Sequence, residues 1–181
     1  MLPPSLFLRR QGYGGQAELL VQAVAKIYEI INVRLIMKYR TIEASKLKWL
    51  SSFYDSCGYG GKVAPSDVVI YAADNKKPIG IGRLSVEKEV VVLRGMQVLE
   101  EYQEQGIGTS LLNKLIEALN GRECFCLPYT HLLGFYRKAG FRSCSINEAP
   151  KFLKTRLQTY RTNEIDVQLL VRRGNVKSLK Q

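Results

Sequence analysis

Val90-Val-Val-Leu-Arg-Gly-Met-Gln-Val-Leu-Glu-Glu-Tyr-Gln-Glu-Gln-Gly-Ile-Gly-Thr-Ser-Leu-Leu112 decides how this chain is read. A β-branched run predicts a strand over Val90–Leu99. A short polar turn follows, then a glycine pair, then an apolar helix from about Gly106 to Asn120. That order places consecutive backbone N–H groups at a helix start, where the positive end of the helix dipole adds to them. Such a row of donors is a socket for phosphate. Gly106 and Gly108 lack Cβ and permit close backbone approach.

Two other readings of the glycine pair are open from the residues alone. One is an ordinary strand-to-helix turn. The other is a dinucleotide-binding turn, which requires Gly-x-Gly-x-x-Gly and an acidic residue about 20 positions on. The glycine spacing here does not match the latter.

The spacing Gln103-x-x-Gly106-x-Gly108 resembles the Gln/Arg-x-x-Gly-x-Gly/Ala motif of the GNAT superfamily of acyl-CoA N-acyltransferases, of the bacterial type. A second segment, Leu133-Gly-Phe-Tyr136-Arg-Lys-Ala-Gly140-Phe141, resembles the same family's Phe-Tyr-x-x-x-Gly-Phe signature. The two stand in the family's order, about one helix and one strand apart. The resemblance covers about 37–173. It implies an α/β (α+β mixed) fold: a central, mostly antiparallel sheet, splayed at the cofactor strand and flanked by helices.

What the resemblance implies chemically is attack of an amine on the thioester of acetyl-CoA, the co-substrate, without a metal. The pyrophosphate is expected on main-chain amides of Glu104, Gln105, Gly106, Ile107, Gly108 and Thr109, with Gln103 starting the turn. The strand edge Met96-Gln97-Val98 is expected to pair with the pantetheine arm and to supply an oxyanion donor, often beside a bulge. Tyr136 is the implied general acid, a phenol still protonated at neutral pH. Its packing alternative is an aromatic beside Phe135 and Phe141. The general base has no clear residue: Val90–Leu99 and Cys124–Leu127 contain no acid, and Glu87, Glu89 and Glu123 fall at strand ends, where a solvated position is expected. His131, the single histidine, is the candidate base, with capping or packing as its other role.

An acceptor pocket is expected from the loop Gly58–Pro65, from strand ends near Arg83 and Arg94, and from Pro128–Thr130, with Tyr54, Tyr59 and Tyr129 lining it. Arg94 inside an apolar run needs a partner. That partner is either a substrate carboxylate or an internal acid, Asp67 or Glu123. The expected function is therefore transfer of an acetyl group to a primary amine of a small molecule or protein. The alternative is a non-catalytic acyl-CoA-binding or partner-binding module on the same fold.

Composition sets the bounds. The 181 residues suffice for one domain with a proper core. The formal charge is +11. Residues 1–36 hold four basic and two acidic side chains, and residues 151–181 hold eight and two. A basic surface attracts CoA, acidic substrates and polynucleotides. The charges do not interleave with aromatics as a nucleic-acid stripe does, so nucleic acid is not the expected partner. The apolar runs are too short for a bilayer, so neither is a membrane. A cytoplasmic monomer or homodimer is expected. Cys57, Cys124, Cys126 and Cys144 lack paired Cys-x-x-Cys spacing and are expected as free thiols, with Cys126 a less favoured redox or nucleophilic candidate.

Three parts are expected along the chain. Residues 1–36 form an N-terminal extension, with Met37 as the functional or even the true start. Residues 37–174 form the domain, and 175–181 a polar tail. Within the extension, residues 17–31 have Leu20, Val24, Ile27 and Ile31 on one helical face. In the domain, strands are expected over 38–42, 67–73, 79–86, 90–99, 123–127, 141–146 and 165–172. Helices are expected over 44–56, 106–120, 131–139 and 150–160.

Overall fold

The computed structural model describes residues 18–26, 38–46 and 48–174. The chain divides into two compact units, Met1–Ile36 and Met37–Gln181. In the first, residues 18–26 form a helix, α1, with Leu19, Leu20, Val21 and Val24 exposed. Ile27, Ile31, Leu47 and the 175–181 tail lie outside the described residues.

The second unit is a seven-stranded sheet ordered β1-β2-β3-β4-β5-β7-β6. Its strands are β1 (Lys38–Glu43), β2 (Val68–Asp74), β3 (Lys77–Glu87), β4 (Val90–Val98), β5 (Cys124–Cys126), β6 (Arg142–Ser143) and β7 (Leu170–Arg172). Among the described residues, only β4 and β5 pair in parallel. Tight two-residue turns join β2 to β3 and β3 to β4. Both central residues of each have positive φ: 44° and 73° at Asn75 and Lys76, 48° and 68° at Lys88 and Glu89. Those values match the right-handed twist of the strands.

One face of the sheet carries α2 (Leu50–Ser56) and α5 (Lys151–Thr162). Ala44, Leu50, Phe53, Tyr54, Val69 and Ile81 form one buried cluster there; Leu153 and Leu157 pack with Val92, Phe125, Leu169 and Val171 in another. The other face carries α3 (Ile107–Leu119). Ile107, Leu111, Leu112, Leu115 and Leu119 are all buried, each worth about 1.5–3 kcal/mol of transfer free energy before entropy is counted. Gly80 and Gly82 leave the space that Leu111 and Leu115 fill. A short helix α4 (Leu133–Lys138) follows β5.

Three expected elements are shorter than the pattern implied. The 44–56 helix is a 3-10 turn, Ala44–Lys46, followed separately by α2. The amides of Ala44 and Ser45 donate to the carbonyls of Asp67 and Pro65, which ties that turn to the neighbouring loop. The 165–172 strand is regular only over β7. Its first half meets Pro128–Thr130 through isolated bonds, Gln168 to Pro128 and Thr130 to Asp166. Pro128 has no N–H to give a ladder there. The 141–146 strand is regular only over two residues, after which a single bond, Cys144 to Leu169, continues toward β7. No described helix is long and apolar enough to cross a membrane.

Candidate active site

Three features of β4 shape the site. It pairs with β5 only at Val91 and Val92, so the two strands part beyond that point. Against β3 its register slips by one residue between Arg94 and Gln97, which is a bulge. At the bulge, Gly95 has φ of +59°. The Tyr54 hydroxyl donates to the Gly95 carbonyl at 3.0 Å. Carbonyl and N–H of one peptide unit point oppositely, so this bond turns the Met96 N–H away from Tyr54. Burial raises the Tyr54 phenol to about 12, so it remains a donor at any working pH.

The splay opens a cleft of about 640 Å³. Gly95, Met96 and Gln97 form one wall; Cys126, Leu127 and Pro128 form the opposite one. The loop 57–61 and α5 close the sides, and Tyr136 stands at the inner end.

At the far end of β4, the chain turns through Glu100–Tyr102 into α3. The Gln103 side chain donates to the Val98 carbonyl at 3.0 Å, fastening the turn to the strand. Glu104 and Gly106 take positive φ, 58° and 81°, and Gly106 caps α3. The first helical bond runs from Ser110 to Gly106. Among the described residues, no amide from 104 to 109 donates to a protein acceptor. Six consecutive amides therefore lack a protein acceptor at the positive end of a helix of 13 residues. Of the glycine pair, Gly106 requires its residue type for conformation. At Gly108 an added Cβ would meet Phe135 at 3.7 Å and Val98 at 3.8 Å, both ordinary contacts. There the bare backbone leaves the outer side open.

Tyr136 is 5 % exposed and lies edge-on to Phe135 and Phe141, with centroids 5.1 and 5.8 Å apart. Burial raises its pKa far above the ordinary value, with Cys126 and Tyr59 adding to the rise. Gly140, at φ of +88°, ends the helix that carries it. His131 sits in the 3-10 turn Thr130–Leu132 at the cleft rim, stacked on Tyr129 at 5.6 Å. The cleft thus contains Met96, Gln97, Tyr136 and His131, while residues 103–109 form the amide row at the end of the same strand.

Several side chains lie elsewhere than the pattern implied. Arg83 is fully buried, not pocket-lining. Its Nε is 2.9 Å from Asp67 Oδ2, and it donates to the Lys62 carbonyl at 2.6 Å and to the Tyr59 hydroxyl at 3.3 Å. It also lies over the rings of Tyr54 and Tyr59. With Asp67 so engaged, Arg94 pairs with neither Asp67 nor Glu123. It donates to Glu87 at 3.1 Å, while Glu123 takes Arg173. Glu87 is not a solvated strand end: a second guanidinium, that of Arg156 on α5, grips both its oxygens. Burial alone would raise the Glu87 carboxyl. The bonds and charge of Arg156, with those of Arg94, outweigh burial and hold it below its usual range. Tyr54 lies beneath the cleft, and Thr130 is outside it.

Arg156 and Tyr160 line the cleft from α5, a helix that was not among the elements expected to build the site. The signal for them was present. Leu153, Leu157, Arg156 and Tyr160 stand at three- and four-residue spacings, so the two polar residues border the apolar stripe. All four cysteines are free; Cys124 and Cys126 are buried, and burial raises their thiols, Cys124 to about 12. That is contrary to a thiolate nucleophile. Among the described residues, no group of three or more His, Cys, Asp or Glu is placed to hold a metal.

Residues 65–143 match the family model described as "Acetyltransferase (GNAT) domain". The fold is similar to that of N-acetylglutamate synthase from Neisseria gonorrhoeae, solved with coenzyme A and N-acetyl-glutamate (TM-score 0.59, 19 % identity). That match covers 77 % of this chain and 35 % of the synthase chain, so this chain spans about a third of that protein's length. Escherichia coli ElaA matches with TM-score 0.54 and 16 % identity over 75 % of this chain and 99 % of its own. A GNAT family acetyltransferase from Elizabethkingia anophelis, solved with acetyl-CoA bound, gives 0.51 and 19 % over 76 % and 98 %. No curated protein sequence matches significantly. The class of fold follows: it is that of the GNAT acyltransferase structures, and residues 65–143 match the GNAT acetyltransferase domain model.

Proposed function

We propose that this protein is an acetyl-CoA-dependent N-acetyltransferase that acetylates a primary amine of a small molecule or protein by direct attack. The observation that carries the reading is the row of six unpartnered amides at 104–109, set at the end of a strand that splays at a glycine bulge. The 65–143 match and the coenzyme A and acetyl-CoA in the named structures support it.

In this reading acetyl-CoA supplies the thioester carbonyl. Residues 104–109 hold its pyrophosphate by main-chain donors, with Gln103 bracing the turn and the Thr109 hydroxyl adding a donor. The edge Met96-Gln97-Val98 takes the pantetheine arm as an added strand would. The Met96 N–H, aimed by Tyr54, stabilises charge on the carbonyl oxygen as the amine nitrogen bonds to carbon. The C–S bond breaks, and Tyr136 gives its hydroxyl proton to the departing sulfur and recovers one from solvent. The proton lost by the amine leaves through water at the cleft rim, where His131 is the candidate base. No carboxylate lines the cleft among the described residues.

That absence favours a second reading, an acyl-CoA-binding module without turnover. Free-thiol release from acetyl-CoA with a panel of amines separates the two: binding by calorimetry without release supports the module. For the enzyme, Tyr136→Phe should lower kcat by roughly a hundredfold, the low end for a general acid, while acetyl-CoA affinity holds within about twofold. Unchanged kcat would remove Tyr136 from the mechanism.

A further inference from the structure

We infer that the acceptor amine carries a carboxylate, as an amino acid does, and that Arg94 and Arg156 hold it. The inference rests on the acetyltransferase reading above and adds the substrate class. Both guanidiniums line the cleft, one from β4 and one from α5, and both reach the same carboxylate, Glu87. Two positive charges against one negative leave a surplus of one. The three side chains are only 20–24 % exposed, so water screens that surplus poorly. No Asp or Glu lines the cleft to offset it, among the described residues. A half-buried cation without a full partner favours an incoming anion and opposes an acceptor that brings more positive charge.

The donor count agrees. A guanidinium has five N–H groups. Arg156 gives Nη1 and Nη2 to Glu87, but Arg94 gives only Nη1. Its Nε and Nη2 have no protein acceptor among the described residues, so they present two donors, the fork geometry that suits a carboxylate. Tyr59 and Tyr160 also line the cleft. Arg94 precedes the Gly95–Met96 bulge directly. The Arg94 backbone lies two residues from the Met96 amide, about 6–7 Å along the strand, and its guanidinium reaches back toward Glu87. The acceptor would lie along the cleft with its carboxylate on the arginines and its amine toward the thioester.

The test uses the full chain with saturating acetyl-CoA and reads thiol release. The panel holds the twenty common L-amino acids, the carboxamide of each, and spermidine. The expected result is at least one amino acid whose kcat/KM exceeds that of its carboxamide by tenfold or more, with spermidine inert. Arg94→Gln and Arg156→Gln should each raise acceptor KM by roughly tenfold to a hundredfold and leave acetyl-CoA KM unchanged. Carboxamides or spermidine turned over as well as the acids would overturn the acceptor class, and so would unchanged acceptor KM in both variants. Should the variants fail to fold, competition on the unaltered protein decides: glutarate must compete with the acceptor, and glutaramide must not. Acetyl-CoA binding with no turnover in this panel overturns the acceptor class; if the wider amine panel is also inert, it supports the binding module instead of the enzyme. Failure to bind acetyl-CoA at all instead overturns the acetyltransferase reading.

Discussion

Gly95 shows how one residue sets the geometry of the cleft. It interrupts a run of β-branched and apolar residues, and its φ of +59° lies where L side chains are strained. A Cβ there would stand 2.4 Å from the Tyr54 hydroxyl and 2.9 Å from Arg83 Nη1. Neither neighbour can withdraw easily, since Arg83 is fixed by Asp67 and Lys62. Gly95→Ala should therefore cost about 2–4 kcal/mol, from the strained φ together with the overlap. It should also displace the Tyr54 bond that aims the Met96 amide. Urea unfolding measures the first effect, and single-turnover thiol release measures the second. A bulge beside Met96-Gln97-Val98 was implied by the family resemblance, and Gly95 is where the structure puts it. That a tyrosine 41 positions earlier would grasp its carbonyl was not legible, because no local pattern encodes a contact of that separation.

At the scale of elements, the β3–β4 hairpin and α5 meet through Glu87. Its carboxyl is held below the unfolded range, so its contribution to stability is complete above the unfolded value, about 4.3, and is lost as pH falls through the lower folded value. Unfolding free energy should therefore drop steeply on acidification below about pH 4.3. Glu87→Gln should flatten that limb and lower stability at neutral pH, since two half-buried guanidiniums lose their shared anion. Urea titrations from pH 3 to pH 7 read both. An unchanged acid limb would mean that other carboxylates dominate it. The periodicity of α5 was visible, with Arg156 three residues after Leu153 and Tyr160 three residues after Leu157. Its role in walling the cleft was not, because periodicity tells which face is buried and not what the border of that face meets.

At the scale of the molecule, we propose that residues 37–174 suffice for folding and catalysis and that 1–36 is dispensable. A chain beginning at Met37 should unfold cooperatively, keep acetyl-CoA affinity within about twofold, and retain thiol release. Insoluble or inactive protein would assign the first 36 residues a structural part. The motive is the contrast between the irregular, Gly- and Pro-bearing start and the ordered alternation that begins at Lys38.

What the sequence determined by itself was everything carried by short-range chemistry: the strand, turn and helix around Gly106, the tight turns between β-branched runs, and the Gly140 stop behind Tyr136. Those features depend on φ preferences and on hydrogen bonds within a few residues, which neighbouring letters specify. The tertiary structure alone decided which charges meet. Arg83 and Arg94 face each other in strand register, yet one is sealed against Asp67 and the other opens on the cleft beside Glu87 and Arg156. Charge pairing depends on distance in space and on access to water, and both are set only when β4 parts from β5 and α5 settles on the sheet.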